Sequence, residues 1–306
     1  MRVLLTGGSG FIGTRLARML VASGASVTNV GRHPCRVASV DNVIVPELSL
    51  ARLRAALGGM RLDGVMHLAA AGVNPTDRDI DAIFRINAAL APGIVRLAVE
   101  ADARAVIVIG SSSEYRPSIE VRPIREDAPL ETMKVYGASK AAGGILALAC
   151  GAAEALPVGV LRLFHVFGPG EGPHRLLPSL ARGLSNGEAV KLSAGTQIRD
   201  FVHVDDACRG IIAAWEALAE GRAQAGAYNV ASGRGVSVAD FARTVARVIN
   251  ADSNLLEFGA LPMRQDDAPY VVGDPGSLHR AASWVACTSL ESAIQSSLNE
   301  FRMGPC

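Results

Sequence analysis

Short, unbroken apolar runs punctuate the first half of the chain. Val3–Thr6, Val27–Val30, Val43–Val45, Gly64–Leu68, Ala105–Ile109 and Val158–Leu163 show almost no polar alternation, and Ala-, Leu- and Arg-rich stretches of helical character separate them. A strand that is apolar on both faces must be covered on both, which is the condition of a parallel sheet between helices. Strands alternating with helices and joined by right-handed crossovers build a doubly wound α/β fold. The pattern therefore predicts a Rossmann-type doubly wound parallel sheet. After Phe167 the texture changes. Gly168-Pro169-Gly170-Glu171-Gly172-Pro173 forms a loop cluster, and shorter helical and strand-like pieces follow. We expect a Rossmann domain over residues 1–167 and a smaller C-terminal α/β lobe over 168–306, with some later segments returning to the first sheet. Arg222–Ala227 and Pro262–Pro275 read as loops.

The first run, Val3-Leu4-Leu5-Thr6, leads straight into Gly7-Gly8-Ser9-Gly10-Phe11-Ile12-Gly13 and a helical stretch, Thr14–Ser23. Glycines at such a junction have separate uses. Gly7 permits the tight turn, Gly10 lets backbone approach a pyrophosphate, and Gly13 lets the helix sit close on the sheet. The free amides of the helix start, around Phe11 and Ile12, face the anion. This spacing between strand and helix predicts a dinucleotide site. The second strand of such a unit ordinarily ends near a carboxylate that bonds the adenosine ribose, but here Gly31-Arg32-His33 follows Val27–Val30. With no acid there, and with Arg32 placed to pair with a 2′-phosphate, NADP(H) is favoured over NAD(H). The alternative is a solvated surface arginine.

Ala105–Ile109 opens at its C-terminal end into Gly110-Ser111-Ser112-Ser113-Glu114-Tyr115, and ligands bind at the C-terminal edge of a parallel sheet. Farther on, Tyr136-Gly137-Ala138-Ser139-Lys140 begins an Ala-rich helix. Tyr136 and Lys140, one turn apart, share a face. A phenol made more acidic by Lys140 and oriented by a serine hydroxyl can give or take the proton on a sugar hydroxyl or carbonyl oxygen while a nicotinamide carries hydride. Each piece alone is common, since serines after a strand are frequent turn formers. Their combination with the N-terminal glycines carries the signal.

In order along the chain, GGSGFIG (7–13), VMHLAA (65–70), Asn87, IGSSSEY (109–115), YGASK (136–140), LRLFHVFGPG (161–170), RDFVHVDD (199–206), YNVASG (228–233) and the region of Trp284 resemble the extended short-chain dehydrogenase/reductases. That is the nucleotide-sugar epimerase, dehydratase and reductase family, and the likeness covers nearly the whole chain. The resemblance implies a catalytic set of Ser112, with Ser111 and Ser113 as alternatives of register, Tyr136 and Lys140. It implies cofactor contacts from Gly7, Gly10, Gly13, His67, Leu68, Ala69, Ala70 and Asn87, with Tyr136 and Lys140 also at the nicotinamide end. It implies Arg199 and Arg264 on the nucleotide or diphosphate of a nucleotide-sugar substrate, and a homodimer formed by the helices of Asn87 and of Tyr136–Lys140. Two departures fall on the substrate side. Arg116 replaces a glycine, and His165 replaces an asparagine. His165 is either a hydrogen-bonding substrate contact or a satisfied strand-end histidine. His174 and Arg175 either approach a phosphate or lie on a surface loop.

Three reactions share this apparatus: 4-epimerisation, 4,6-dehydration, and net reduction of a 4-keto sugar. Dehydration needs a second acid/base pair beside the catalytic serine. Ser112-Ser113-Glu114 offers one carboxylate, and Glu114 is either catalytic or a structural cap on local amides. The likeness of IGSSSEY to the GSSEEYG-type segment of 4-keto-6-deoxy-sugar reductases, together with Arg32, leads us to expect an NADP(H)-dependent reductase with Tyr136 as proton donor. An epimerase or dehydratase with retained NAD(P)+ is the alternative, and an inactive dinucleotide sensor the remote one. Composition adds exclusions. Thirty basic and 29 acidic side chains give a formal charge of +1, so no overall field argues for nucleic acid or an anionic membrane. Cys35, Cys150, Cys208, Cys287 and Cys306 are scattered without a CxxC pair, which indicates neither a metal site nor a disulfide framework. With no leader and no apolar stretch near the ~18 residues of a membrane span, the expected compartment is the cytoplasm.

Overall fold

The computed structural model of the chain describes residues 1–73, 77, 79–263 and 267–303. In chain order the first half runs β1 (Arg2–Thr6), α1 (Phe11–Ala22), β2 (Ser26–Gly31), β3 (Val40–Ile44), α2 (Leu50–Leu57), β4 (Gly64–His67), α3 (Ile80–Ile83), a π-helical turn (Phe84–Ala89), α4 (Leu90–Glu100), β5 (Ala105–Ser111), a 3-10 turn (Ser112–Glu114), α5 (Val135–Ala153) and β6 (Val158–Leu163). The second half runs β7 (His165–Phe167), α6 (Leu176–Ser185), β8 (Val190–Lys191), β9 (Ile198–His203), α7 (Val204–Ala219), β10 (Gly226–Val230), β11 (Gly235–Ser237), α8 (Val238–Ile249), β12 (Leu256–Glu257), β13 (Tyr270–Val271), α9 (Gly276–Ala282) and α10 (Leu290–Met303).

Seven parallel strands form the main sheet in the order β10-β6-β5-β4-β1-β2-β3. The chain works outward from β1 to β3 and then crosses back to β4. The crevice at the C-terminal ends of β1 and β4 is therefore the place where the winding reverses, which is where doubly wound sheets bind ligands. Successive side chains sort to opposite faces. Val3, Leu5, Met66 and Ile107 pack with Leu16 and Leu20 of α1 and Ile211 and Trp215 of α7. Leu4, Val65, Val106 and Val108 pack with Leu53 of α2 and Ile94 and Val95 of α4. Each fully buried leucine or isoleucine contributes roughly 2 kcal/mol to that core. A separate core, Phe167, Leu180, Phe241, Val245, Ile294 and Leu298, lies around β9, which pairs with β7, β11 and β13.

The helix that carries Tyr136 is built for close approach. Gly137, Ala141, Gly144, Ala147 and Gly151 of α5 are all buried and recur at helical spacing, so a stripe of small residues faces inward. A β-carbon on Gly143 would stand 1.9 Å from the Asn87 carbonyl oxygen, and one on Gly137 would stand 2.1 Å from the Ser113 carbonyl oxygen. Backbone therefore rests on backbone at both places. Asn87 itself lies in the π-helical turn, a rare local widening that recurs at functional sites.

Three expectations need correction. The third strand covers Val40–Ile44, not Val43–Val45, because as an edge strand it is half exposed and lacks the continuous apolar run of its neighbours. Gly226 and Ala227, assigned to a loop, begin β10, whose small residues have weak strand propensity and take their conformation from pairing with β6. Tyr270 and Val271, inside the expected Pro262–Pro275 loop, pair with β9. Residues 264–266 of that loop lie outside the described residues. Moreover, two helices, Ile80–Glu100 and Val135–Ala153, are long and apolar enough to cross a membrane by length and composition. Here each packs one face on the protein and leaves Ile80, Phe84, Val135, Ile145 and Leu146 exposed.

Candidate active site

The glycine turn after β1 has the geometry its spacing predicts. Gly7 adopts φ +75°, and a β-carbon there would lie 2.7 Å from the Ala69 amide nitrogen. This contact joins the turn to the Leu68-Ala69-Ala70 segment that leaves β4. On Gly13 a β-carbon would lie 2.1 Å from the Gly7 oxygen. The first backbone bond of α1 runs from the Thr14 amide to the Gly10 oxygen at 2.9 Å, so the amides of Phe11, Ile12 and Gly13 have no acceptor within the helix. An anionic oxygen fits them. Asn29, fully buried on β2, accepts the Gly8 amide at 3.0 Å; sequence reasoning missed this brace. Arg32 is exposed just past the end of β2, and among the described residues no carboxylate pairs with it.

Asn87 is engaged within the chain. Its amide nitrogen donates to the Ala71 oxygen at 2.9 Å and to Ser139 Oγ at 3.1 Å, and its Oδ1 accepts the Ala71 amide at 2.9 Å. Both donors are spent, so the side chain clamps the segment after β4 to α5. His67 is likewise a brace. Its Nδ1 lies 2.7 Å from Thr6 Oγ1, which also accepts the Ala69 amide.

At the end of β5 Ser111, the alternative of register, is the serine whose side chain acts on the Tyr136 phenol, drawing its pKa down, while Ser112 and Ser113 form the 3-10 turn beyond it. The expected acidification of Tyr136 by Lys140 is also corrected. Lys140 is buried and donates to the Ile109 carbonyl, and burial pushes its own pKa down. Burial and the negative charge of Glu114 push the Tyr136 phenol up to about 12, against the Ser111 hydrogen bond and the Arg175 charge. Tyr136 is therefore protonated at neutral pH. Of the two roles weighed for Glu114, the geometry supports the structural one: the carboxylate is fully buried and engaged by Arg162 and by the Ser111 amide. Arg162 was overlooked. A single charge inside the apolar strand Val158–Leu163 was the available signal, because a strand interior tolerates it only when paired.

His165 stands on β7 with its Nδ1 buried and unpartnered, so it is not a satisfied strand-end histidine. Burial, with Arg199 and Arg175 nearby, pushes its pKa down to about 3 and keeps the ring neutral. Arg175 reaches this side through Glu171 and the Val166 oxygen. Arg199 is buried and bonds Asp267 and the Ala268 oxygen, so it secures the following loop to β9. Arg264 lies outside the described residues. His174 is exposed.

The model of the NAD dependent epimerase/dehydratase family matches residues 3–231. A dTDP-glucose 4,6-dehydratase from Streptomyces griseus is 29% identical over 84% of this chain and 81% of its own length. CDP-abequose synthase from Salmonella typhimurium is 28% identical over 92% of each. The solved structure of MoeE5 in complex with UDP-glucuronic acid and NAD superimposes with a TM-score of 0.85 at 29% identity, covering 100% of both chains.

The brace at His67 has a measurable consequence. Burial, aided by the Lys140 charge, lowers its pKa from 6.5 to about 3. Between those values the unfolded chain takes up a proton that the folded chain refuses. The stabilisation is complete above pH 6.5 and is lost on acidification at up to about 1.4 kcal/mol per pH unit. His67→Asn should flatten the fall in urea midpoint between pH 7 and pH 5; identical slopes in both proteins would refute this account.

Proposed function

The chain belongs to the NAD dependent epimerase/dehydratase family, and on that premise we propose that it moves hydride at a carbon of a nucleotide-linked hexose, with Tyr136 exchanging the proton on the sugar oxygen. The observation that carries this reading is the start of α5 resting on the serine turn after β5, where a β-carbon on Gly137 would stand 2.1 Å from the Ser113 oxygen, with Ser111 acting on Tyr136 and buried Lys140 one turn along the same helix. In this reading the second lobe, residues 168–306, mainly holds the nucleotide sugar. The free amides of Phe11, Ile12 and Gly13 fit a pyrophosphate, and a nicotinamide dinucleotide seated there supplies or accepts the hydride.

The remaining steps belong to the chain's own groups. Tyr136, protonated at working pH, gives its proton to a carbonyl oxygen without prior ionisation, and Ser111 orients that oxygen and the phenol together. In the opposite direction Tyr136 must first lose its proton, which the Ser111 hydrogen bond eases. His165 Nδ1 is free to bond the substrate. Dehydration would require a further carboxylate open to the sugar, and Glu114 is closed in.

The protonated phenol and the exposed Arg32 support net reduction of a 4-keto-6-deoxyhexose with exchangeable NADP(H). A specific observation favours a second reading: the family's name and the NAD held by MoeE5 support 4-epimerisation or 4,6-dehydration with a retained cofactor. Cofactor released from the purified protein separates the two. An empty site that takes up NADPH in preference to NADH, and in which Arg32→Ala weakens NADPH at least ~10-fold more than NADH, supports the reductase; tightly held NAD+ supports the epimerase.

Tyr136→Phe should lower turnover of any accepted nucleotide sugar by ~100-fold or more while leaving the thermal midpoint near that of the parent. Retained activity would remove Tyr136 from its role. We also propose a homodimer through the exposed apolar face formed by Phe84 on the π-helical turn and Ile145 and Leu146 on α5. Ile145→Asp should shift sedimentation from dimer to monomer, and a monomeric parent at micromolar concentration would refute the dimer.

A further inference from the structure

Glu114 is fully buried beside the reacting groups and performs none of the chemistry assigned above. Its Oε2 accepts from Arg162 Nε at 2.9 Å, and its Oε1 accepts the Ser111 amide at 2.8 Å. Arg162 is itself fixed from several sides. Its guanidinium lies over the Tyr115 ring, 4.7 Å from the centroid. Its NH1 group donates to the Tyr115 hydroxyl and to the Glu126 carbonyl, both at 3.0 Å. The Tyr115 hydroxyl in turn donates to Asn229 on β10. The clamp on Glu114 is thereby anchored to three neighbouring strands of the main sheet.

A buried carboxylate on a catalytic loop can act as an acid/base, as a metal ligand or as a brace. Acid/base work needs an open path to substrate, but backbone closes over the group: a β-carbon on Gly110 would lie 2.4 Å from Oε1, and one on Gly144 would lie 3.9 Å from Oε2. A metal is disfavoured because the cation of Arg162 already occupies the partner position. What remains is the brace. Ser111 caps the 3-10 turn through a reciprocal pair of bonds, its Oγ accepting the Ser113 amide at 3.1 Å while Glu114 accepts the Ser111 amide. These two bonds fix the backbone of Ser111, and that backbone decides where its hydroxyl points.

We propose that Glu114, clamped by Arg162, is the positioning residue that holds the Ser111 hydroxyl against the Tyr136 hydroxyl. The assignment rests on the hydride-transfer reading above. The same carboxylate has an electrostatic consequence. The charged groups facing Tyr136 are Glu114 from the turn and Arg175 from the segment before α6. Lys140 on the same helix is engaged at Ile109, with neutral His67 beyond it. Glu114 and burial raise the phenol together, so removing the carboxylate should lower the pH at which Tyr136 ionises.

Glu114→Gln keeps an acceptor for Ser111 but strands a buried Arg162, and such a variant can fail to fold. Glu114→Gln/Arg162→Gln removes both charges and serves as the second variant. The folded variant should lose ~10-fold in kcat with KM for the nucleotide sugar little changed. Adding Ser111→Ala to it should cost no more than roughly twofold, because the serine removed is no longer placed. With tyrosine labelled at 13Cζ, and Tyr136→Phe used for assignment, the Tyr136 resonance should begin to titrate ~1 pH unit lower than in the parent. Losses that multiply with Ser111→Ala, or an unmoved Tyr136 titration, would overturn the proposal and leave the pair a purely structural one. If the parent turns over no nucleotide sugar, the hydride-transfer reading fails, and the titration alone decides whether Glu114 acts on Tyr136.

Discussion

Besides the Gly13–Gly7 contact inside the glycine turn, backbone lies directly on backbone where separate segments meet around the site: Gly7 on Ala69, Gly137 on Ser113, and Gly143 on Asn87. At each, a β-carbon would fall 1.9–2.7 Å from a main-chain atom, well inside van der Waals contact. Main chain cannot move aside as the end of a long side chain can, so these contacts fix how the segments stand relative to one another. The first seats the glycine turn on the segment after β4. The second brings the start of α5, and Tyr136 with it, against the serine turn after β5. The third locks the length of α5 onto the helix beside it. Everything chemical in the site hangs from segments held in this way, which gives hydroxyls and amides fixed positions on rigid elements.

Charge plays the complementary part. Where small residues let segments touch, buried and half-buried ion pairs join elements that lie far apart along the chain. Arg162 and Glu114 join β6 to the serine turn. Arg199 and Asp267 join β9 to the loop that precedes β13. Arg15, on the helix that begins at the dinucleotide turn, pairs with Asp205 on α7 and Glu300 on α10. Such pairs add little net stability over well-packed apolar groups, yet breaking one partner is costly. Their value here is geometric, since each sets one element against another at a single register. Asp200 does the same without a cation, accepting the amides of Ser232, Gly233 and Gly273.

The electrostatics of the unliganded chain favour one protonation pattern. Tyr136 is held protonated, His67 and His165 are held neutral, and Lys140 is turned toward Ile109. All four follow from burial, which favours the neutral form of a group unless a counter-charge stands close. A donor-ready phenol suits carbonyl reduction directly, whereas alcohol oxidation asks the site to shift that balance. The same burial explains why Glu114 matters beyond its hydrogen bonds, because a fixed negative charge acts strongly on a desolvated neighbour.

The sequence by itself determined the parallel sheet, the dinucleotide turn and the pairing of Tyr136 with Lys140 on one helix face. Each is a local pattern. Apolar runs report burial on both faces, glycine spacing reports a turn between strand and helix, and a four-residue step reports one helical turn. Only the tertiary structure decided that Ser111 and not Ser112 meets Tyr136, that Lys140 bonds Ile109, that Asn87 and Arg199 brace loops, and that β10 joins the main sheet. Those outcomes depend on which distant segment arrives beside a residue: Arg162 from β6 beside Glu114, Ala71 beside Asn87, Asp267 beside Arg199. A hydrogen bond or ion pair between residues 16 or more positions apart leaves no periodicity along the chain, because its existence is settled by packing rather than by spacing.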